Sequence, residues 1–317
     1  MTESIGAPIT ISETSSQPKF GVTDVLLFMM AAIWGINFVV VKYATGIFSP
    51  VAFTGLRVAT VAVFLVLVAL SRNASEAKTA NRGSLFSRVS RGDALRLLLL
   101  GVLGNGIYQL FFVHGVSRTR AGNAALIVGA APAFIALAAR AKGLEHVKRK
   151  TLLGIGLSVV GVGLVIAGSA RPVAGQPTLL GSMLVFFGVL SWSLYTILLQ
   201  PFTRRVDVFT LSAITMVGGA IPLLIASGPA IVGTDWGRIG VGGYLALLYS
   251  SIISMGVAYL FWYRGLRVLG PTRTSVYSNL QPIIALLVAW AFLGENPTAF
   301  QGVGAVTIIA GVFMTRA

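Results

Sequence analysis

Two pairs of aromatic and polar residues stand at helical spacing inside long apolar segments. Trp34 and Asn37 lie three positions apart, as do Trp192 and Tyr195. Because residues three or four apart share one face of an α-helix, each pair places an indole beside a hydrogen-bonding group. Trp34 follows Asp24 by about ten residues, or about 15 Å of helix, which is too deep for an aromatic belt at a membrane surface. These faces indicate the lining of a binding cavity.

Other apolar segments also carry uncharged groups that form hydrogen bonds. Tyr108 and Gln109 are adjacent in one segment, Tyr259 lies in another, and Ser278 and Asn279 lie in a third. The alternative role for such Ser and Asn residues is to join membrane helices to one another. We interpret the whole set as substrate-binding residues: Trp34, Asn37, Tyr108, Gln109, Trp192, Tyr195, Tyr259, Ser278 and Asn279.

The residue types that catalysis requires are scarce in this chain. It has no Cys, and its two His residues, His114 and His146, have no second metal ligand at helical spacing. All nine Asp and Glu residues fall in tails, loops or the ends of apolar segments, whereas proton coupling commonly uses a carboxylate at membrane depth. No Gly-rich phosphate loop occurs. The sequence therefore predicts no enzyme, no metal site and no cofactor.

Composition indicates a membrane protein. Only 10% of the 317 residues are charged and 56% are hydrophobic, whereas about a quarter of a soluble chain is charged. Apolar runs long enough to cross a hydrocarbon layer of about 30 Å lie at 24–45, 50–71, 94–116, 120–140, 150–169, 179–200, 206–227, 240–264, 271–293 and 299–315. We predict an all-α integral membrane protein with ten transmembrane helices.

The second half of the chain repeats the first about 150 positions later. The repeated residues are Gly106, Leu110, Phe111, Gly115, Pro132 and Glu145, which return as Gly256, Leu260, Phe261, Gly265, Pro282 and Glu295. Because each copy holds five spans, an odd number, the second copy must enter the membrane from the opposite side. We predict two inverted five-helix repeats, 24–169 and 170–317, after a disordered cytoplasmic tail at 1–23.

A proline interrupts one apolar segment in each half. Pro132 and Pro282 each remove a backbone hydrogen bond and free the carbonyl of Val128 and of Ser278, respectively. Membrane helices tolerate such breaks where they face a cavity or neighbouring protein. A static kink is the simpler interpretation. Because the pair recurs at equivalent positions, we favour paired hinges or breaks that form a site.

Two basic residues, Lys42 and Arg57, lie closest to the hydrophobic interior. Long basic side chains can extend toward the membrane surface, so we expect surface extension or anchoring between helices for both. The alternative is that one of them binds a substrate carboxylate or excludes cations from the outer mouth of the cavity.

Trp262 and Tyr263 lie near the end of an apolar run, where we expect them to belong to the aromatic belt at the membrane surface.

The distribution of basic residues predicts the orientation. Most of the 24 Lys and Arg residues fall on the side of the amino terminus, the exceptions being Lys42, Arg57, Arg118, Arg120, Arg171 and Arg238. Cytoplasmic loops of membrane proteins carry this excess. We therefore place both termini in the cytoplasm and expect the net charge of +15 to face the lipid bilayer rather than nucleic acid. Residues 71–93 are expected to form a long solvated loop.

The chain resembles the drug/metabolite transporter superfamily in its ten-helix EamA form. The resemblance rests on Trp34-Gly35-x-Asn37-Phe38 leading to Lys42, on Pro50 followed by Arg57, and on the repeated order of Pro, Glu and a Gly-rich helix. It implies a central cavity formed mainly by helices 1, 3, 4, 6, 8 and 9. It also implies movement of small metabolites, often outward and often amino acids or related compounds. The long basic loop at 71–93 departs from the pattern.

We interpret the chain as a secondary transporter that exports a small, polar, amino-acid-like metabolite across the cytoplasmic membrane by alternating access. An uncoupled facilitator is the alternative within the same class. A membrane receptor or scaffold, which would use the helices only to position its cytoplasmic loops, is the alternative from another class. Substrate identity, direction, coupling ion and oligomeric state stay open at this point.

Overall fold

The computed structural model describes residues 21–80, 89–143, 149–169 and 178–316. These residues form ten helices: α1 Val22–Ala44, α2 Pro50–Ala80, α3 Arg91–Arg118, α4 Ala121–Ala141, α5 Arg149–Ser169, α6 Thr178–Thr203, α7 Val208–Val232, α8 Val241–Val268, α9 Pro271–Leu293 and α10 Ala299–Arg316. Eight of the ten are long and apolar enough to cross a membrane, and α5 and α10 contain the shorter apolar stretches Leu152–Ala167 and Ala299–Gly311.

The outer surface of the bundle is apolar. Leu67, Ile225 and Phe292 are 61%, 76% and 79% exposed, respectively. Water disfavours so much exposed hydrocarbon on a monomer, whereas lipid tails accept it. The all-α membrane fold with ten helices, predicted from composition, is therefore the fold of the described chain.

The predicted boundary of helix α2 is wrong. Helix α2 continues to Ala80, whereas the sequence predicted that it ends at residue 71 and that a loop follows. Residues 71–80 include Ala, Glu and Lys but neither Gly nor Pro, so nothing in them ends a helix. Residues 81–88 of the predicted loop and the predicted tail at 1–20 lie outside the described residues.

Helices of the two halves pack against each other in matched pairs. Helix α1 packs on α8 and α9, and α6 packs on the equivalent α3 and α4. Likewise α2 contacts α8 while α7 contacts α3, and the equivalent helices pair with each other in α2 with α7 and in α5 with α10. Exchanging the halves therefore reproduces the same contacts, as expected if the sequence repeat is a structural repeat.

Four helices depart from α geometry at equivalent places in the two halves. Helices α3 and α8 contain the π-helical segments Val102–Ile107 and Tyr249–Val257. Helix α4 is interrupted at Ala130, and α9 narrows to a 3₁₀ turn at Tyr277–Asn279. The last two departures directly precede Pro132 and Pro282, whose rings cannot donate the hydrogen bonds that a continuous α-helix needs. Irregular backbone inside a membrane protein commonly lies beside a cavity.

The α5–α10 pair packs closely through glycine, although not through every glycine of the repeat. A Cβ atom added to Gly161 would lie 2.8 Å from the backbone nitrogen of Ile308 and 3.0 Å from the carbonyl oxygen of Gly304. Gly156, Gly163 and Gly302 of the same two helices have no such neighbour within 4 Å. Because backbone atoms fill the space at Gly161, the two helices approach as closely as small residues allow.

Candidate functional site

A central cavity lies between the two halves of the bundle. The cavity is narrow, with a volume of about 30 Å³. Helices α1, α2, α3, α4, α6, α8 and α9 all contribute residues to it. This set contains the six helices that the family resemblance implied and adds α2, which contributes Arg57.

Most of the predicted substrate-binding residues lie together at this cavity. Those that line it are Trp34, Asn37, Tyr108, Gln109, Trp192, Tyr259 and Ser278. They come from five helices and from both halves of the chain, so the cavity exists only where the halves meet. Val128 and Ser278, whose carbonyls the two prolines free, are both among the lining residues.

An aromatic cluster forms one wall of the cavity. The Trp34 ring lies 5.8 Å from that of Trp192, 5.6 Å from that of Tyr259 and 5.5 Å from that of Trp262, measured between centroids. Tyr108 extends the cluster, with its ring 5.0 Å from Trp192. The contacts of Trp34 with Trp192 and Tyr259 are edge-on, and contacts of this kind fix ring orientations. The indole N–H of Trp34 donates to the carbonyl of Ser254 at 2.9 Å, which ties α1 to the π-helical segment of α8.

Amide side chains supply the neutral polar groups of the cavity. Gln109 Nε2 donates to the hydroxyl oxygen of Tyr259 at 2.8 Å, which leaves Gln109 Oε1 buried and without a partner. Asn37 Oδ1 accepts a hydrogen bond from the Ser250 hydroxyl at 2.8 Å. Each of these bonds joins the first half to the second, so the halves position one another's polar groups.

Two of the predicted substrate-binding residues lie away from the cavity. Tyr195 is fully buried behind Trp192, where its hydroxyl shares a 2.6 Å hydrogen bond with that of Tyr263. Asn279 lines a separate apolar pocket together with Pro282 and Gly129. Both residues lie close in sequence to residues that line the cavity. The rotation of each helix about its axis directs their side chains to other neighbours.

The predicted hinge residues lie next to the cavity and to each other's helix. Pro132 lies in the first turn of the second part of α4, which begins at the lining residue Ala131. Pro282 of α9 reaches the break in α4, because a Cβ added to Gly129 would lie 2.7 Å from Pro282 Cγ. The two interrupted helices therefore adjoin at their interruptions.

Of the two roles expected for Arg57, extension to the membrane surface or anchoring between helices, the first is wrong. Its side chain is 1% exposed, lines the cavity, and lies between the rings of Phe53 and Phe112, 5.7 and 5.8 Å from their centroids. Lys42 instead anchors two helices, since Nζ donates to the carbonyls of Ser117 and Thr119 at 3.1 and 2.8 Å. These carbonyls end α3, and a cation satisfies them well.

The expectation that Trp262 and Tyr263 lie at the membrane surface is also wrong. Both side chains are fully buried, and Trp262 packs on Trp34 and Trp192. Helix α8 continues to Val268, four residues beyond the predicted end of the run. Both residues therefore stand more than a turn inside the helix end.

Several lining residues were missed from the sequence. Phe112 lies three positions after Gln109, and Gln281 lies three after Ser278, so helical spacing placed both on the predicted faces. Gln281 also directly precedes Pro282. Met255 lines the cavity from the π-helical segment, whose wider turn changes which side chains point inward.

Two carboxylates join the halves at opposite ends of the bundle. Asp24, at the start of α1, accepts hydrogen bonds from the Gly21 N–H and from the hydroxyl of Tyr277 in α9. At the other end, Glu295, just after α9, accepts from the N–H groups of Ala121 and Gly122 at 3.0 and 3.2 Å. Helix α4 has no side-chain cap from its own preceding residue, so Glu295 satisfies its first donors.

Metal binding has no support among the described residues. No three His, Cys, Asp or Glu side chains of the described ranges gather where they could hold one ion. His114 contacts Arg118, whose Nη1 lies 2.9 Å from His114 Nδ1. The other histidine, His146, lies outside the described residues.

Ten membrane helices around a central polar and aromatic cavity are the architecture of a multi-pass membrane transporter. The chain belongs to the EamA-like transporter family, whose sequence profile matches residues 22–167 and 179–317. The resemblance seen in the sequence motifs is thereby confirmed, together with the ten-helix fold. The family profile matches twice, once in each half of the chain.

Relatives from distant organisms match nearly the whole chain. YyaM of Bacillus subtilis, an uncharacterized transporter, is 28% identical over 91% of this chain and 91% of its own length. An uncharacterized transporter of Archaeoglobus fulgidus is 24% identical over 92% of this chain and 97% of its own. The uncharacterized inner membrane transporter YedA of Escherichia coli is 24% identical over 94% and 90%.

A solved crystal structure has the same fold. It matches with a TM-score of 0.63 over 92% of this chain and 95% of that chain, at 18% identity.

Proposed function

We propose that this protein is a secondary transporter that exports a small polar metabolite, amino-acid-like in size and chemistry, by alternating access. The observation that carries the proposal is the cavity itself, which both halves line with hydrogen-bonding and aromatic side chains. Aromatic faces bind apolar or cationic groups, while Asn37, Tyr108, Gln109 and Ser278 bind polar ones. A cavity at the interface of two repeats is exposed to either side of the membrane when the repeats rock against each other.

The proposed orientation places both termini in the cytoplasm and the two repeats in opposite directions. An odd number of helices in each half supports the inversion, and the matched packing of equivalent helices supports the repeat. The excess of Lys and Arg on the side of the amino terminus supports the orientation. The cytoplasmic membrane is the proposed location, and the name of the Escherichia coli relative places that protein in the inner membrane.

The structure offers parts for the proposed rocking motion. The interruptions in α4 and α9, beside Pro132 and Pro282, are where these helices bend with the least loss of hydrogen bonds. The contacts of Asp24 and Glu295 close opposite ends of the interface between the halves. In alternating access only one of these ends opens at a time.

Removal of the Glu295 charge is expected to open its end of the bundle. Glu295→Gln weakens two charge-assisted hydrogen bonds to the start of α4, a loss of about 1–2 kcal/mol, which corresponds to roughly a tenfold shift between two conformations. Because the chain has no Cys, a single Ala121→Cys substitution gives one labelling site beside this contact. We expect its labelling by a membrane-impermeant maleimide to accelerate about tenfold.

Asp235→Asn is the matched control, since Asp235 is an exposed carboxylate that pairs only with the adjacent surface residue Arg238 in the described contacts. Its labelling rate should equal that of the parent. Equal rates in Glu295→Gln would contradict the proposal that Glu295 holds this end closed.

Transport itself is tested with purified protein in two stages. The first is thermal stabilisation by a panel of amino acids, nucleobases, sugars and quaternary amines. The second is counterflow of the stabilising compound in proteoliposomes. Binding followed by counterflow supports the proposal, whereas binding without counterflow would indicate a receptor.

An uncoupled facilitator is the second candidate function. It is favoured by the described lining of the cavity, which includes no Asp or Glu to carry a coupled proton. Accumulation against a gradient separates the two mechanisms. A proton gradient should drive uphill transport in a coupled transporter and leave a facilitator at equal concentrations on both sides.

A further inference from the structure

Arg57 brings a positive charge to the central cavity, and no described residue gives it an acidic or hydrogen-bonding partner at Nε or Nη1. Its Nε and Nη1 atoms are buried and make no hydrogen bond. The side chain is 1% exposed, so bulk water does not hydrate it. Two phenyl rings, those of Phe53 and Phe112, flank the guanidinium and hold it in place.

Burial of an unpaired guanidinium costs free energy unless an anion or a hydrogen-bond acceptor pairs with it. Arginine stays protonated in proteins, so this side chain cannot shed its charge as a buried Lys can. Cation–π contacts offset part of the lost hydration but satisfy none of the N–H donors. The described residues that line the cavity include no carboxylate. No described residue of the lining therefore supplies the negative charge that would pair with Arg57, and a bound anion would supply it.

Three acidic residues of the described chain form hydrogen bonds away from the cavity. Asp24 binds Gly21 and Tyr277, and Glu295 binds the start of α4. Asp207 caps α7 through the N–H groups of Phe209 and Thr210. None of these side chains is among the lining residues of the cavity.

We infer that Arg57 binds a carboxylate of the transported substrate, and that this site selects small monoanionic or zwitterionic carboxylates with an apolar or aromatic body. The inference rests on the transporter function proposed above and names the chemistry of its substrate. A planar guanidinium donates two parallel hydrogen bonds to a carboxylate. An amine or an alcohol has no pair of acceptor oxygens to receive them. One cation in a neutral lining suits one negative charge.

The remaining lining matches the rest of such a molecule. Trp34, Trp192 and Tyr108 present ring faces and edges for an apolar or aromatic body. Gln109 Oε1 is a buried acceptor without a partner, suited to an N–H group of the substrate. A carboxylic acid, or an amino acid whose ammonium group meets Gln109, would satisfy both unpaired groups at once.

The test compares four probes that share one body and differ in the head group: phenylpropanoate, phenylalanine, phenethylamine and 3-phenylpropanol, with an aliphatic series of the same four types. Thermal stabilisation and inhibition of counterflow are measured on the unmodified protein. Within the series that binds, we expect the two carboxylates to bind at least about tenfold more tightly than the amine and the alcohol, the worth of a charge-assisted hydrogen bond.

Variants locate the preference. Arg57→Gln is expected to remove the advantage of the carboxylates, and Arg57→Lys to keep part of it, because an ammonium retains the charge without the planar fork. Arg238→Gln removes an equal charge from an exposed position, 88% accessible, and should change nothing. The unmodified protein carries the test alone if Arg57→Gln does not fold.

The results separate this inference from the function on which it rests. Transport of the amine or the alcohol as readily as the carboxylates would overturn the inference and leave the transporter intact. A carboxylate preference that persists in folded Arg57→Gln would overturn the role of Arg57. Failure of every compound in both series and in the wider panel to bind or move would overturn the transporter function and the inference with it.

Discussion

Replacement of Trp34 with alanine is expected to reduce transport by at least about tenfold while the protein still inserts and purifies as a folded bundle. The indole contacts Trp192, Tyr259 and Trp262 and donates a hydrogen bond to the Ser254 carbonyl. Its removal deletes part of one wall of the cavity and the hydrogen bond to the Ser254 carbonyl, a loss of about 3–5 kcal/mol in a fully packed core. Because Trp34 faces the cavity, more of this loss should fall on substrate binding than on folding.

The measurement is initial transport rate in proteoliposomes, normalised to the amount of inserted protein. Trp290→Ala is the matched control, because Trp290 is the same residue type, 58% exposed on the outer surface of α9. It should transport normally. Normal transport by Trp34→Ala would contradict the assignment of this cavity as the substrate-binding site.

Replacement of Gly161 with leucine is expected to destabilise the protein strongly. The new Cβ would lie 2.8 Å from the Ile308 nitrogen and 3.0 Å from the Gly304 carbonyl oxygen, and backbone atoms cannot rotate out of its way. Helices α5 and α10 must then separate and lose their packing. Overpacking of this kind costs about 1–3 kcal/mol or more, which should lower the melting temperature by at least about 2–5 °C in a chain of this size.

The control lies two residues further along the same helix. Gly163 has no atom within 4 Å of its added Cβ, so Gly163→Leu makes the same chemical change on an open surface. Melting curves of both variants in one detergent give the comparison. Similar melting temperatures for the two would show that the α5–α10 contact does not depend on glycine at this position.

The positions of the helices were largely predictable, because the thickness of a membrane requires about 20 apolar residues for each crossing. The exceptions occurred where length and composition say little. Helix α2 extends past the predicted boundary through residues that permit a helix, and α8 ends later than its apolar run. The added length of α8 places Trp262 in the aromatic cluster instead of at the membrane surface.

The sequence predicted which residues share a helix face, but it did not predict which of them line the same cavity. Spacing identified Trp34 with Asn37, and Gln109 with Tyr108, because helical geometry is local. It could not show that Asn279 turns toward a different pocket than Ser278 does. One residue of helix spans about 100° of rotation, so adjacent positions meet different neighbours.

The sequence by itself determined the ten-helix membrane fold, the duplicated halves, the transporter family and most of the polar and aromatic residues of the cavity. These follow from composition, apolar length and repeat spacing, which are local properties of the chain. Only the tertiary structure decided that Arg57 points inward between Phe53 and Phe112, that Glu295 caps α4, and that Tyr195 lies behind Trp192. Each of these depends on how a helix is rotated against partners far away in sequence, and long-range packing sets that rotation.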